Sequence, residues 1–322
     1  MNAVALSGGG DKGAFTVGVL KRLYNKGERF VIIAGTSTGA LIAPLVAIDE
    51  IDLLWRIYEN VKKEDVLSEM KPVTELITGT SLYDVKPLER MIRKTITDEM
   101  YMRIMNSGKK IFISTVCLQN QRLTYFTNSE LPGNKHYDVL KWKDREQFIM
   151  AIVASCIQPV IMPPVSISRL QYLDGGIRNF LPADVTIDAG AEKITAIITI
   201  PDNERPFDAD VLGNMKDILL RTIDIFSNEV FTNDIRITEL YSKGASFVEA
   251  LRERVKRNTG LTDEQTDVIF TSAGNPFFGK RKIGLRIIRP QRNLGDGLSF
   301  SNMKEMLALG YDTPDSVTSF YA

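Results

Sequence analysis

Short apolar runs alternate with amphipathic segments along the first part of the chain. Residues 2–6 and 30–34 are short and apolar, and the second run is rich in β-branched side chains, which predicts two buried strands. Between them, residues 14–25 carry apolar side chains at helical spacing, and the apolar run 40–48 predicts a second helix. This β-α-β-α order predicts an α/β fold with a parallel sheet covered by helices.

The same alternation continues to the end of the chain. Further strands are predicted at 110–118, 122–127, 171–173, 193–200 and 283–288, and further helices within 49–60, 81–96, 144–156, 211–231 and 301–309, with Asp144 and Ser301 as N-caps of their helices. The 211–231 helix has an apolar stripe, of a kind that usually packs in a core. The sequence has no repeat and no dividing linker. We therefore expect one domain over 1–322, with the core motifs in 1–200 and with 201–322 completing the fold and leaving room for a variable cap or docking region.

Composition narrows the classes of function. The chain has 322 residues, 44% hydrophobic and 25% charged, as in ordinary globular proteins. Its 40 Lys and Arg balance 40 Asp and Glu, so we predict no nucleic-acid partner. Two cysteines and one histidine cannot complete a usual zinc site, and no cluster of Asp and Glu resembles a calcium loop, so we expect no metal. The chain begins almost directly in a strand without a signal peptide, which predicts a cytoplasmic protein, peripheral to a membrane at most.

The turn after the second strand has the pattern G-x-S-x-G. Gly35 and Gly39 lie two positions on either side of Ser37, between the predicted strand and helix. This is the sequence of a nucleophile elbow, where a tight turn needs small residues around a strained serine. Backbone N–H groups at the beginning of the following helix favour negative charge that develops there. We therefore predict that Ser37 is a catalytic nucleophile rather than part of an ordinary turn.

The turn after the first strand is rich in glycine. Residues 8–13 fit the dinucleotide pattern G-x-G-x-x-G, which requires an acidic residue at the carboxyl end of the second strand. Glu28 lies at the beginning of that strand, so a dinucleotide-binding oxidoreductase is the less favoured alternative. Consecutive glycine amides can instead form a concave nest for an anion. One strand away from Ser37, such a nest is an oxyanion hole.

A base for Ser37 is harder to identify from pattern alone. Asp174 begins the turn Asp-Gly-Gly after a short strand, and Asp-led turns are common. His136 is the single histidine, and it lies in a loop that contains proline and glycine. It precedes Asp174, whereas α/β-hydrolases have the order Ser, Asp, His. We therefore expect His136 to be a surface residue.

Taken together, the motifs resemble the patatin-like phospholipase family. That family combines a G-G-G-x-[RK]-G loop, a G-x-S-x-G elbow and a later D-G-[GA], which here are residues 8–13, 35–39 and 174–176. Residues 155–165 also resemble the family's segment before the aspartate. The resemblance covers about residues 1–200, and the combined order and spacing make it specific.

Two departures from the family pattern stand out. Lys12 replaces the commoner arginine, which weakens any bidentate contact. Residues 156–158, Cys-Ile-Gln, are bulkier than the usual small residues and are expected to narrow the acyl pocket. Neither departure removes Ser37 or Asp174.

The resemblance implies a three-layer α/β/α fold with a mainly parallel central sheet. It also implies a catalytic dyad in which Ser37 is the nucleophile and Asp174 the base. The oxyanion hole would be formed by five residues: Gly8, Gly9, Gly10, Lys12 and Thr38. The implied activity is hydrolysis of fatty-acyl esters of phospholipids or lysophospholipids through an acyl-enzyme, without a cofactor.

The last third of the chain suggests a membrane contact. Residues 251–292 contain ten Lys or Arg and four Asp or Glu, a local net charge of +6. Such a segment is usually a solvated face, but it can also attract anionic headgroups, so we predict transient contact with a membrane surface. A lipid-binding effector without turnover is the remaining alternative, and the intact Ser37 and Asp174 argue against it.

Overall fold

A central sheet of nine strands organises the described part of the chain. The computed structural model describes residues 1–68, 81, 83–201, 215–271, 283–295 and 297–315. The strands are β1 (Asn2–Leu6), β2 (Ile32–Thr36), β3 (Lys110–Cys117), β4 (Leu123–Thr127), β5 (Tyr137–Lys141), β6 (Val165–Ile167), β7 (Leu170–Asp174), β8 (Lys193–Ile197) and β9 (Gly284–Ile288).

The sheet has the order β5-β4-β3-β2-β1-β8-β9, and β6 and β7 are attached at β3. The pairs from β3 through β2, β1 and β8 to β9 are all parallel, as is β4 with β5. The pairs β3-β4, β3-β7 and β6-β7 are antiparallel. The expectation of a mainly parallel central sheet is confirmed.

Helices cover both faces of the sheet. They are α1 (Gly13–Asn25), α2 (Thr38–Ala47), α3 (Ile51–Asn60), α4 (Lys63–Val66), α5 (Lys86–Thr95), α6 (Asp98–Met105), α7 (Arg145–Ser155), α8 (Ala183–Asp188), α9 (Met215–Thr259), α10 (Asp263–Phe270) and α11 (Met303–Asp312). Asp144 caps α7 by accepting the Gln147 amide at 2.8 Å, as the sequence predicts. The predicted cap Ser301 is wrong, because α11 begins at Met303 and Asn302 occupies its N-cap without a side-chain bond.

Alternation along the strands divides the interior into two cores. Val4 and Leu6 of β1 belong to the core that α1, α2 and α7 cover, whereas Ala3 and Ala5 face the core on the side of α8 and α9. Successive side chains of a strand point to opposite faces, so a strand buried on both faces is apolar throughout. The result is a three-layer α/β/α arrangement.

Residues after 200 contribute to the same sheet and to the same helical layer. β9 pairs with β8 along five residues. α11 lies against α1 at two glycines, since a Cβ on Gly18 would be 2.1 Å from the Leu307 carbonyl oxygen and one on Gly310 equally close to that of Phe15. Such close backbone approach leaves no room for a side chain.

The long helix α9 differs from the predicted 211–231 helix. It continues to Thr259, whereas Val211 lies outside the described residues. Ile218 and Phe226 of the predicted stripe are exposed, so the expectation that these two side chains pack in a core is wrong. Among the described residues, we find no helix with the length and apolarity that a bilayer crossing requires.

Candidate active site

The elbow around Ser37 is a strained turn between β2 and α2. Ser37 has φ 56° and ψ −122°, a conformation that non-glycine residues rarely adopt. Neither flanking glycine could carry a side chain. A Cβ on Gly35 would lie 2.3 Å from the Gly39 carbonyl oxygen, and one on Gly39 would lie 2.3 Å from that of Leu6. The turn therefore keeps Ser37 at the end of the sheet only because both glycines are present.

The register of the sheet brings Asp174 to this turn. β3 extends beyond the end of β2, whose last residue Thr36 pairs with Ser114. β7 then continues alongside β3 from the opposite direction, and its last residue Asp174 pairs with Thr115, the next residue of β3. The carboxyl end of β7 therefore meets the carboxyl end of β2, which places Asp174 against Ser37.

Asp174 is buried and bonded to its surroundings. Its residue is 7% exposed, and its Oδ1 accepts the Gly176 amide at 2.7 Å. Burial raises the pKa of Asp174 to about 7, because the charged form loses its hydration, while hydrogen bonds from the Gly176 amide and from the Ser37 hydroxyl oppose this rise. A carboxyl group with a pKa near neutrality is a stronger base than an exposed aspartate.

Ser155 and Cys156 hold the backbone of the elbow. The Ser155 hydroxyl accepts the Ser37 amide at 2.9 Å and donates to the Ser114 carbonyl oxygen at 2.6 Å. The Cys156 thiol donates to the Ser37 carbonyl oxygen at 3.4 Å. Both residues belong to the segment 155–165 that resembles the family's segment before the aspartate, and Cys156 is one of the three residues expected to be bulkier. Here they hold Ser37 in position from the end of α7.

The glycine-rich loop lies directly against Ser37. A Cβ on Gly8 would be 3.2 Å from the Ser37 Cβ. Gly9 and Gly10 have φ 140° and φ 60°, which suit glycine alone or nearly so. The Gly8 amide donates to the Phe180 carbonyl oxygen at 3.4 Å, whereas neither the Gly9 nor the Gly10 amide donates to any described residue. These two amides are therefore available to a negatively charged oxygen.

The remaining predicted oxyanion residues have different surroundings. Thr38 is the first residue of α2, so its amide has no acceptor within the helix. Its hydroxyl is 2.8 Å from the hydroxyl of buried Tyr58. The Lys12 amide donates to the Gly9 carbonyl oxygen at 3.2 Å, and its ammonium group donates to the Gly295 carbonyl oxygen at 3.3 Å. Lys12 thus connects the loop to the last third of the chain.

The same last third clamps the loop through Asp11, a contribution that sequence reasoning missed. Asp11 is 2% exposed, and its Oδ2 accepts the Phe300 amide at 2.7 Å. Its own amide donates to the Gly297 carbonyl oxygen at 2.8 Å. A Cβ on Gly10 would lie 2.0 Å from that same oxygen. No local pattern marks Gly297 or Phe300 as part of the site, because only the fold brings them there.

An apolar cavity opens beside Ser37. Its empty space is about 980 Å³ when the opening to solvent is included, and about 100 Å³ of it can hold the centres of water-sized spheres. Ser37, Thr38, Cys156 and Gln158 line it near the elbow. The rest of its wall is mainly aliphatic and comes from α2, α3, α5 and α7 and from Leu298 and Phe300. Such a cavity suits a flexible hydrocarbon chain better than a polar substrate.

The two alternatives, a histidine base and a dinucleotide site, depend on residues that lie away from the elbow. His136 is exposed, next to the edge strand β5, and does not approach Ser37. Glu28 precedes β2 and accepts Arg286 Nη1 at 2.9 Å, at the amino end of the strand rather than at the glycine-rich loop. In the described part of the chain, no three His, Cys, Asp or Glu side chains converge as metal ligands would.

The comparisons with known proteins agree with the motifs. The model of the family "Patatin-like phospholipase" matches residues 4–187. Patatin-like phospholipase domain-containing protein 6 of Homo sapiens is 26% identical over 204 residues, which are 61% of this chain and 13% of that protein. Lysophospholipase NTE1 of Meyerozyma guilliermondii is 28% identical over 202 residues, or 60% of this chain and 12% of that protein.

The chain is therefore similar to a small part of much longer proteins. The solved structure of VipD from Legionella pneumophila is 12% identical, with a TM-score of 0.40, and the match covers 97% of this chain and 65% of that one. The family match includes the glycine-rich loop, the elbow and Asp174, and it extends over more than half of the 322 residues. This chain belongs to the patatin-like phospholipase family.

Proposed function

We propose that the protein is a lipid acyl hydrolase of the phospholipase A or lysophospholipase type, with Ser37 and Asp174 as its catalytic dyad. The observation that carries the proposal is that the strand ends of β2 and β7 bring a strained serine and a buried carboxyl group together at an apolar cavity. The name of the relative Lysophospholipase NTE1 agrees with this class of substrate.

In the first step Ser37 Oγ attacks the ester carbonyl carbon while Asp174 takes the hydroxyl proton. The carbonyl oxygen becomes an oxyanion, which the amides of Gly9, Gly10 and Thr38 can stabilise. The tetrahedral intermediate collapses to a Ser37 acyl ester, and the leaving alcohol receives the proton from Asp174. The loss of one such amide donor typically lowers kcat about 100- to 1000-fold.

In the second step water replaces the alcohol. Asp174 removes a proton from the water as its oxygen attacks the acyl-enzyme, and the same amides receive the second oxyanion. Collapse releases the fatty acid and returns the proton to Ser37. Asp174 thus acts as base and as acid in turn, which suits a pKa of about 7.

The cavity determines the part of the substrate that is bound. Its aliphatic wall contacts the acyl chain, so the polar headgroup lies towards the opening to solvent. Cys156 and Gln158 stand on the wall close to Ser37, where bulk limits the width available to the chain. We propose phospholipids or lysophospholipids as substrates, a cytoplasmic protein that contacts membranes transiently, and one domain formed by residues 1–322.

Turnover by purified protein tests this proposal. Wild type, Ser37→Ala and the control Ser129→Ala are each incubated with phosphatidylcholine and with lysophosphatidylcholine, and products are identified by mass spectrometry. Ser129 follows β4, two strands away from β2 in the sheet, and tests the loss of a serine away from the elbow. We expect free fatty acid from wild type and control, and none from Ser37→Ala.

A fluorophosphonate probe gives a second readout that needs no knowledge of the lipid. It should label wild type at Ser37 in a one-to-one ratio, and peptide mapping should find no label in Ser37→Ala. A folded protein that neither reacts with the probe nor releases fatty acid would instead support the lipid-binding effector without turnover.

A further inference from the structure

The helix α9 exposes an apolar face on the side away from the sheet, interrupted by the exposed Asn233 between Phe226 and Ile237. Five large apolar side chains lie within about 80° of arc at 3.6 residues per turn and extend over about 37 Å. We call them the α9 stripe: Phe226, Ile237, Leu240, Phe247 and Leu251. Phe226 is 67% exposed, and Ile237, Leu240 and Phe247 are each 64% exposed. Exposed apolar surface of this extent marks an interaction site.

The opposite face of α9 is fixed to the body, so the exposure of the stripe follows from the fold. Asp234 Oδ2 accepts the Phe180 and Leu181 amides at 2.6 and 3.2 Å. The buried Ser242 hydroxyl donates to the Ile283 carbonyl oxygen at 3.1 Å. Ile235 and Ala245 are buried on the same side. With these contacts in place, the helix cannot rotate its stripe towards the sheet.

Basic side chains follow one border of the α9 stripe. Arg236, Lys243 and Arg254 are exposed, and each lies three or four residues from Leu240, Phe247 or Leu251. Glu239 lies 3.9 Å from Lys243, behind the border. Glu229 is an exposed acidic residue beside Phe226, at the beginning of the stripe. An apolar face with a basic border fits an anionic lipid surface, where aliphatic and aromatic groups enter the acyl boundary and cations meet headgroups.

A second copy of the chain fits this surface less well. A two-fold interface brings the same patch of two subunits together, and in an antiparallel pair of α9 helices each basic border would meet its own counterpart. In a parallel pair it would meet the opposite border, where Val248 and Arg252 offer no acidic partner. Like charges at such an interface oppose association. The spacing of the apolar side chains in the α9 stripe resembles that of a coiled-coil seam. The positive charge of the basic border favours an anionic lipid surface over a second copy of the chain.

Several of the basic side chains in residues 251–292 form ion pairs within the protein. Lys256 Nζ is 2.7 Å from Asp263, and Arg252 contacts Asp263 and Asp267. Arg286 is paired with Glu28. Asp263 and Asp267 are already counted in the local net charge of +6, and Glu28 offsets one further positive charge. Leu251 and Arg254 are the residues of this segment that lie at the α9 stripe, so the docking surface shares only the beginning of the segment.

From these observations we infer that the α9 stripe, with Arg236, Lys243 and Arg254, docks the protein on anionic membranes. The inference rests on the proposed function in one respect: the substrate of the proposed hydrolase would be a membrane lipid. Its test therefore uses the full chain with Ser37→Ala, so that binding is measured without turnover. Failure to bind would refute the docking surface and leave the hydrolase proposal untouched.

The test is co-sedimentation with vesicles of phosphatidylcholine alone or mixed with an equal amount of phosphatidylglycerol. The stripe variant combines Ile237→Gln, Leu240→Gln and Phe247→Gln. The matched control makes the same change at three exposed positions elsewhere: Met102→Gln, Leu118→Gln and Leu140→Gln. The midpoint of thermal unfolding confirms that each variant is folded.

The parent protein is the full chain with Ser37→Ala. We expect the stripe variant to partition onto the mixed vesicles at least tenfold less than the parent, and the control to bind like the parent. A border variant, Arg236→Glu with Arg254→Glu, should lose the preference for anionic vesicles. Binding by the parent should weaken as salt shortens the Debye length from about 10 Å at 0.1 M to about 3 Å at 1 M.

Two outcomes would overturn the inference. One is a folded stripe variant that partitions like the control. The other is a parent protein that is dimeric by analytical ultracentrifugation and a stripe variant that is monomeric, with unchanged vesicle binding. That second result would assign the stripe to another copy of the chain.

Discussion

Replacement of Asp174 by asparagine should abolish activity and also make the protein more stable. The amide keeps an oxygen that can accept the Gly176 amide, which bonds to Asp174 Oδ1 at 2.7 Å. It cannot take the proton of Ser37, so turnover should fall nearly to that of Ser37→Ala. It also carries no charge, so it avoids the cost of burying a carboxylate in a residue that is 7% exposed.

The size of the stabilisation follows from the pKa of the buried carboxyl group. Folding raises the pKa of Asp174 from 3.8 to about 7. About three pKa units at 1.36 kcal/mol each correspond to a penalty of about 4 kcal/mol once the group is ionised. That is a large part of the usual 5–15 kcal/mol of total stability, so Asp174→Asn should raise the free energy of unfolding by up to about 4 kcal/mol.

The direction of the pKa shift determines how the stability difference between wild type and Asp174→Asn should change with pH. A group whose pKa is higher in the folded state contributes its stability fully below the unfolded pKa, here 3.8, and loses it as the pH rises to about 7. The advantage of Asp174→Asn over wild type should therefore be small near pH 4, grow between pH 4 and pH 7, and stay constant above about pH 7.

The measurement is urea unfolding of wild type and Asp174→Asn at several pH values across this window. The difference between the two proteins is the quantity of interest, because Asp234 also has a pKa raised to about 7 and titrates in both. An advantage that is equally large at pH 4 and pH 8 would refute the argument from buried charge. So would a variant that is less stable than wild type at pH 8.

Three further predictions concern the same site. His136→Ala should leave kcat/KM nearly unchanged, because the exposed imidazole lies away from Ser37, and a folded His136→Ala protein as inactive as Ser37→Ala would refute the dyad. Hydrolysis should not change when a chelator is added, because a serine and a carboxyl group can supply the chemistry, and restoration of chelated enzyme by calcium would contradict this. Ser155→Ala should lower kcat about 10- to 100-fold with little change in KM, since it frees the Ser37 amide of a 2.9 Å bond, and an equal kcat would show that the elbow holds its position without Ser155.

The opening unit of the fold could be predicted from sequence because its signals are local. Two apolar runs and the turn chemistry around Ser37 mark β1, β2 and α2 within a few residues of their observed ends. A strand buried on both faces is apolar throughout, and a tight turn needs glycine, so each element is encoded where it occurs. The parallel pairing of β1 with β2 was predicted from the same segments.

Other elements carry weaker local signals and were missed. β5 is an edge strand with one buried side chain, Tyr137, so it lacks both an apolar run and a clear alternation. The segment 98–105 forms α6 but buries only Ile104, which leaves no apolar stripe to detect. Gly297 and Phe300 join the site through their backbone contacts with Asp11, and a backbone contact leaves little trace in side-chain pattern.

The α9 helix shows a more general limit of pattern. An apolar stripe records that one side of a helix differs from the other, but not which side meets water. Along α9 the side that packs on the body is held partly by polar bonds, from Asp234 to two amides and from Ser242 to a carbonyl oxygen. Because those polar contacts hold the helix in place, the apolar residues Ile237 and Leu240 are left outside. The buried side of this helix is marked by its hydrogen bonds and by only a few apolar side chains, such as Ile235 and Ala245, so the apolar pattern alone does not identify it.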